Sequence, residues 1–467
     1  MRKNPPTAVE PVKLPMKVKV AYSACNLAKT TITILIAAFL LFFYTDVCGI
    51  KPEIASAIVL IAKIWDIIND PMMGALVDKT KSKEGKCRAY LKYFSVPVAV
   101  VTVLTFFMPD ISSTGKIIYV AVTYILQGML STVVLIPINT LMGRLTLDNQ
   151  ERAQISQIGI IFSTAAKLFA TGYAMKIVQA IGGGDMQKGF FWLSVIFGVI
   201  YVASIMITYF GTQGYEPVEP EVTATEKEKV SFSDVMKALV QNKVWVACIG
   251  MDFFINLSTA TEAAALTFYL TYNIKDLDMF PVYSWMSTIT ALVVGGLLLT
   301  QFTKRLGNAG TAMLGCLLAV AGPLIRFIMH DSSAAVMIIG WGLAGLGLGL
   351  ATGVAFLNIF DARSYGEWKN GFANDAVLMA GYSVSYKTGQ AIATPLVGCM
   401  MGMVPYVANA ESQAQSVLDV FFYQNTLLPM IGYGIAALCG VVLLKNQKNM
   451  PMILKELEER KNKLSVK

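Results

Sequence analysis

Charge is scarce in this chain. Only 15% of its 467 residues are Asp, Glu, Lys or Arg, against about 25% in an average soluble domain. Hydrophobic residues make up 55%. They fall in blocks long enough to cross a bilayer, which takes roughly 20 residues each. A polytopic membrane protein is implied, and counting soluble domains by length does not apply. Histidine is nearly missing: His330 is the single one, and beside a segment end it reads as an interfacial side chain rather than a ligand. The seven cysteines are odd in number and scattered. Most sit in apolar blocks, where Cys behaves as a small hydrophobe, so neither a disulfide nor a metal site is expected from them. The first twenty residues are polar and Pro-rich and lack a short apolar core before a small-residue cleavage site, so no removable signal is expected. The net charge of +8 would suit an anionic partner. Lys and Arg cluster at segment ends, however, which assigns them to orientation in the membrane rather than to nucleic acid.

About twelve apolar segments are present, near 18–44, 53–77, 91–109, 116–143, 154–181, 190–212, 244–272, 281–303, 309–330, 335–360, 374–404 and 419–445. The widest polar gap, 213–243, contains "TQGYEPVEPEVTATEKEKVSFSDVMK" and divides them six and six. The expected fold is all-α, with twelve transmembrane helices in two pseudo-symmetric six-helix bundles. This layout resembles the major-facilitator arrangement, in which substrate binds at the midplane between halves. The expected parts are a tail 1–17, a bundle 18–212, a linker 213–243, a bundle 244–445 and a tail 446–467. The loop after the second segment carries Lys79, Lys81, Lys83, Lys86, Arg88 and Lys92, and both tails are basic. Opposite loops hold about one Lys each: Lys51, Lys116, Lys188 and Lys275. Both termini are therefore expected in the cytoplasm, with the chain in the cell membrane. Gly345, Gly349 and Gly353 form a small-residue stripe that lets helices approach closely. No strand precedes it and no Lys-Ser/Thr follows, so it is not a nucleotide loop.

Within "KIWDIINDPMMGALVDKTKSKEGKCR", Asp66, Asn69 and Asp70 share one helical face. Two carboxylates and an amide oxygen suit a small hard cation such as Na⁺. Two close carboxylates also repel, so one can instead hold a proton. Lys63, three residues before Asp66, could pair with it and make the cluster merely structural, but charges inside a membrane mark ion or substrate pathways by default. Lys29, Lys167, Asp252, Glu262, Arg326 and Lys387 also lie deep in segments. Lys387 needs a carboxylate, and Asp66 or Asp70 is the natural partner. Lys167 and Arg326 read as anchoring or pairing residues.

These stretches resemble the glycoside–pentoside–hexuronide:cation symporters, the melibiose permease group. So do "FFYTDVCGI", "FYLTYNIKDLDMFP" and "DARSYGEWKNG", in the family's order along most of the chain. The resemblance implies a coupling cation, Na⁺, Li⁺ or H⁺, held by Asp66, Asn69, Asp70 and Thr132, with Lys387 near that site. It implies no other cofactor. The positions that grip galactosides in melibiose permease are Thr30, Leu135, Asn139 and Ile160 here, and none is a carboxylate. A different glycoside, a pentoside, a uronide or a non-sugar is therefore expected as substrate, and Lys29 is a candidate cation for a uronide. Candidate cavity residues are Lys29, Thr30, Leu135, Asn139, Ile160, Asn256, Glu262, Thr352 and Ser383. Lys79, Arg88, Asp361, Arg363, Glu367 and Lys369 are expected as a cytoplasmic gate. The expected function is cation-coupled symport by alternating access in a monomer, with the lipid bilayer and a small molecule as partners. Rival readings are a carrier of an amphiphile, a non-transporting sensor, and an Mg²⁺-dependent intramembrane prenyltransferase, for which a second acidic cluster is missing.

Overall fold

A computed structural model describes residues 14–80, 82, 84–146, 148–216, 239–371 and 375–465, apart from a few side chains within those helices. Most of the expected linker, 217–238, lies outside them. The described residues are helical nearly throughout. The first six crossings are α1 (Met16–Val47), α2 (Pro52–Lys79), α3 (Arg88–Thr105), α4 (Ser113–Leu145), α5 (Asn149–Gly182) and α6 (Met186–Gly211). Next come α7 (Lys243–Ile274) and a helix Met279–Val293 that runs through a π-turn into Leu299–Met329. Gly307 (φ 72, ψ 178) breaks that last helix, so 279–306 form α8 and 308–329 form α9. The remaining crossings are α10 (Ala334–Gly353 and Ala355–Asn370), α11 (Asp375–Gly402) and α12 (Gln415–Asn425 and Leu427–Ser465). Among the described residues, eight helices are each long and apolar enough to cross a membrane by themselves.

Helix starts are written locally. Ser112, Asp148, Asp185, Asn242 and Ser333 each accept a hydrogen bond from a backbone N–H of the first turn, satisfying donors that have no partner within the helix. Two stretches differ from expectation. "DARSYGEWK", beyond the expected end of the apolar segment 335–360, is helical, within Ala355–Asn370. The expected tail from 446 continues α12 as helix to Ser465. Both follow from packing: Met450, Ile453 and Leu457 bury against Tyr365 and Trp368, and the Trp368 indole donates to Glu456 at 2.6 Å.

The chain groups into two compact units, Met1–Ile36 with Ile61–Val222, and Ala37–Leu60 with Thr223–Lys467. The core of the first joins α1, α3, α4, α5 and α6 through Tyr22, Leu91, Val98, Ile138, Ile155 and Ile205. The core of the second is built on Trp245, Met251, Ala312, Cys316, Ala351 and Tyr433. A shared device marks the two units as repeats. Glu216, just past α6, caps the start of α3, accepting from the amides of Cys87 (2.8 Å) and Arg88 (3.2 Å). Gln447, on α12, caps the start of α9, accepting from the amides of Ala309 (2.7 Å) and Gly310 (3.3 Å). In each case a positive-φ glycine, Gly85 or Gly307, lies directly beneath the capping side chain, where a Cβ would approach it within 2.3 Å.

The glycine stripe of α10 faces α8. A Cβ on Gly345 would lie 2.4 Å from the Ser287 carbonyl oxygen, and one on Gly349 would lie 2.5 Å from that of Ala291. Backbone cannot yield as a flexible side chain can, so the helices would have to part. Gly349→Ala is expected to destabilise the protein by about 1–3 kcal/mol through overpacking. Gly434→Ala on α12, where a new Cβ meets nothing within 4 Å, is expected to leave stability unchanged. Thermal unfolding of the two purified variants side by side checks this, and equal behaviour would refute it.

Candidate cation and substrate sites

The polar face of α2 meets a matching face of α4. Gly128 and Thr132 are one turn apart on α4, as Asp66 and Asp70 are on α2, so the pairs meet in register. The Thr132 hydroxyl donates to Asp70 Oδ1 at 3.1 Å. The Asp66 carboxylate sits where a side chain on Gly128 would be: a Cβ there would lie 2.5 Å from Asp66 Oδ1. Asn69 and Thr132 are buried, and the Asn69 Nδ2 has no hydrogen-bond partner. Lys63 Nζ lies 3.5 Å from Asp66 Oδ2. That pair is within one helix and partly exposed, the kind that contributes little, but Lys63 also interacts with Tyr124 of α4 and so links α2 to α4. The arrangement offers four oxygen-bearing side chains within two turns of α2 and one turn of α4, a donor set for a hard cation.

Gly128→Ala separates positioning from folding. The displaced atom is the end of a flexible carboxylate, so the protein should fold normally. The carboxylate must nevertheless move, and ligand sites tolerate only about 0.5 Å of misplacement. Cation affinity is expected to fall roughly five- to tenfold, near 1 kcal/mol, measured as the cation concentration for half-maximal thermal stabilisation. An unchanged midpoint would argue against Asp66 as a ligand.

The α4 face continues past Thr132 to Leu135 and Asn139, at steps of three and four, so the candidate cation and substrate residues form one stripe. Leu135 is half-buried and Asn139 exposed; Lys29 and Thr30 on α1 are half-buried, and Ile160 on α5 is 57% exposed. In the second unit Thr352, Ser383 and Lys387 are exposed, and Asn256 donates to Asp252 Oδ1 at 3.0 Å. Glu262 does not line an open face. It is buried in an ion pair with Arg326, 3.2 Å away, because an acid deep in an apolar helix needs a counter-charge.

The gate residues are engaged within their own units. The Arg88 guanidinium donates to the carbonyls of Tyr209 (3.1 and 3.0 Å) and Glu84 (2.8 Å). Arg363 pairs with Glu367 at 3.3 Å, Lys369 reaches the Gln241 carbonyl at 3.3 Å, and Asp361 accepts from Asn308 at 3.4 Å. The Lys79 side chain lies outside the described residues. In the loop before α3, the Lys92 ammonium, with help from Tyr209 and Arg88, holds the Glu84 carboxyl below its usual range.

Two clusters were not legible as sites in the sequence. The Asp46 carboxylate, ending α1, accepts from Thr45 Oγ1 at 2.7 Å and from the hydroxyls of Tyr272 and Tyr406. Glu216 is buried between the start of α3 and Arg144, 3.3 Å away. An acid at the end of an apolar run was the visible signal for the first; nothing in the local pattern distinguished the second from its Glu-rich surroundings.

Residues 21–445 match the protein family described as MFS/sugar transport protein. An isoprimeverose transporter of Lactiplantibacillus pentosus is 30% identical over 465 residues, which span 98% of this chain and 94% of that protein. A glucuronide carrier protein homolog of Escherichia coli strain K12 is 25% identical, with 95% of each chain covered. Among solved structures, the D-xylose-proton symporter superposes with a TM-score of 0.63 at 12% identity, covering 92% of this chain and 97% of that one. A bacterial homolog of the human lysosomal transporter Spinster gives a TM-score of 0.66 at 12% identity, covering 94% and 97%. At these identities the structures speak for the fold alone.

Proposed function

The chain belongs to the MFS/sugar transport family, and on that premise we propose that it is a cation-coupled symporter of a glycoside, pentoside or hexuronide. It is a multi-pass membrane transporter and not an enzyme, so the prenyltransferase reading falls. The observation that carries the proposal is the joined polar face of α2 and α4, with Thr132 on Asp70 and Asp66 seated over Gly128. Asp66, Asn69, Asp70 and Thr132 bind the coupling ion. Its charge cancels the repulsion between two carboxylates in a low-dielectric setting. Lys387 is the charge partner that competes when the ion is absent. If the ion favours substrate binding, the substrate favours the ion by the same factor. Coupling then requires only that the half-loaded carrier cross slowly. The termini lie in the cytoplasm, as the Lys and Arg distribution directs, and the residues around Arg88 and Asp361–Lys369 form the cytoplasmic gate of a monomer.

Na⁺ competence is supported by Asn69. An amide oxygen serves a metal ion and is not needed to protonate a carboxylate. Its Nδ2 is not committed to a neighbour, which leaves the amide free to turn its oxygen toward the ion. Asn69→Ala is expected to lose Na⁺-driven uptake while keeping any H⁺-driven uptake; a variant with unchanged ion preference would refute Na⁺ coordination by Asn69.

The deciding experiment is uptake into proteoliposomes of isoprimeverose, methyl xyloside and methyl glucuronide under an inward Na⁺ gradient and then a proton gradient. Gradient-driven accumulation of one of them supports the reading. A carrier that accumulates none, yet is stabilised by Na⁺, would retain the ion site and redirect the search. In that event exposed Ile160 and half-buried Leu135 favour an amphiphilic cargo.

A further inference from the structure

Lys167 sits near the middle of α5, a helix of 34 residues. By sequence it reads as an anchoring or pairing residue. Among the described residues, however, its ammonium has no hydrogen-bond or ion-pair partner. The one bond beside it, from the Thr171 hydroxyl at 2.7 Å, goes to the Lys167 backbone carbonyl. Arg326 and Lys63, also inside spans, are answered by carboxylates: Glu262 and Asp331 for the first, Asp66 for the second. A cation deep in a membrane is costly unless it has a partner or faces a water-filled cavity.

The surface of α5 distinguishes these cases. At about 100° per residue, Ala165 and Phe169 stand about 160° from Lys167. These two and Tyr173 are exposed and form the stripe that meets lipid. The opposite side is accessible too, and it differs in kind. Ser156 and Ile160 are exposed there, and Ser163, Thr164 and Lys167 are half-buried. Past Lys167 on that side, Thr171, Ala174 and Val178 are buried. The accessible stripe therefore runs from the Asn149 end of α5 and stops at Lys167, in mid-span. An accessible path on the side away from lipid, ending in mid-membrane on an unpaired charge, has the form of a substrate site.

The stripe also selects its guest. One ammonium without a counter-charge calls for one negative charge, which a carboxylate supplies. The hydroxyls of Ser163 and Thr164, one turn before the lysine, suit ring hydroxyls, and Ile160 suits C–H surface. A sugar acid combines all three in one small molecule. A neutral glycoside would cover the ammonium and leave it unpaired, which costs binding energy.

We propose that Lys167 is a specificity-determining residue that pairs with the carboxylate of a hexuronide, so that this carrier prefers an anionic sugar to a neutral one. The proposal rests on the reading of this chain as a sugar carrier and narrows it. It assigns the substrate's charge to α5 and the coupling ion to α2 and α4, so the two binding events can be varied separately.

The test is gradient-driven uptake by the full-length chain in proteoliposomes of methyl glucuronide and of its neutral amide, methyl glucuronamide, which keeps the ring and loses the charge. Wild type is expected to show the lower KM for the glucuronide. A hydrogen bond to a charged partner is among the stronger ones, so Lys167→Gln is expected to raise that KM roughly tenfold and to leave the KM for the amide unchanged. Lys167→Arg keeps the charge and should keep most of the preference. Lys167→Gln should also unfold at the wild-type temperature or above, because it removes a charge from the membrane and strands no partner. A clear loss of stability in Lys167→Gln would reveal a structural pair and overturn the proposal. So would an equal rise in KM for both sugars, or a wild type that does not distinguish acid from amide. Wild-type protein that accumulates isoprimeverose or methyl xyloside but not methyl glucuronide would overturn this inference alone. Wild-type protein that accumulates none of these sugars would overturn the sugar-carrier reading and the inference with it.

Discussion

Asp70→Asn is expected to abolish cation-driven accumulation while leaving a folded protein. Asparagine keeps the shape of aspartate and keeps an oxygen for the Thr132 hydroxyl, now 3.1 Å from Asp70 Oδ1, so the α2–α4 contact survives. What disappears is half the negative charge of the ion site, and affinity for hard cations is set by ligand charge count and site rigidity. The ion-free variant should be no less stable than wild type, because the repulsion between two carboxylates one turn apart is gone. The difference appears on adding the cation. At one hundred times its dissociation constant, the ion stabilises wild type by about 2.7 kcal/mol through mass action. The variant should gain nothing measurable over the same range. Thermal unfolding across a NaCl titration, with choline chloride holding ionic strength, reads this directly. Normal accumulation by Asp70→Asn under a Na⁺ gradient would sink the assignment of the site.

The largest expected loss of stability comes from Arg326→Ala. The guanidinium is fully buried. It meets Asp331 through two bonds, Nε to Oδ1 at 3.1 Å and Nη2 to Oδ2 at 3.0 Å. Its Nη1 donates to Glu262 Oε1 at 3.2 Å and to the Asn425 carbonyl at 3.1 Å. It also lies over Trp341, 5.1 Å from the ring centre. One side chain thus ties α7, α9, α10 and α12 together. The close packing of its stem depends on Gly340, where a Cβ would lie 2.5 Å from Arg326 Cγ. Removing one partner of a buried ion pair leaves uncompensated charge and costs about 3–5 kcal/mol; here two carboxylates would be stranded. Arg326→Lys should recover part of the loss and not all of it, since an ammonium cannot reproduce the two-bond fork. Arg326→Met combined with Glu262→Gln and Asp331→Asn should be more stable than Arg326→Ala, because no buried charge remains. Folded yield and unfolding temperature of these variants decide the matter. Wild-type stability in Arg326→Ala would show that the pair contributes nothing.

Much of this was readable along the chain. Membrane insertion depends on local sums of hydropathy, so twelve apolar segments and the central polar gap could be counted directly. The candidate ion cluster was equally accessible, because Asp66, Asn69 and Asp70 are neighbours on a single helix, and helical spacing is a property of sequence. Thr132 came from family likeness alone, since no spacing rule connects α2 to α4. Helix ends were less accessible. Gly307 lies in the short gap between the apolar segments 281–303 and 309–330, so that break was legible, whereas the helix of 355–370 is secured by Trp368 and Glu456 on different crossings. The sequence offered Glu262 as a cavity residue, and folding paired it with an arginine 64 positions away. Asp252 was visible as a buried acid without a role. Its Oδ1 accepts from Asn256, one turn further along the same helix, a contact that helical spacing alone allows. Local periodicity determines which residues enter the membrane and which share a helical face. Only the packing of helices against one another decides which charges find partners, because that balance is struck between residues far apart in the chain.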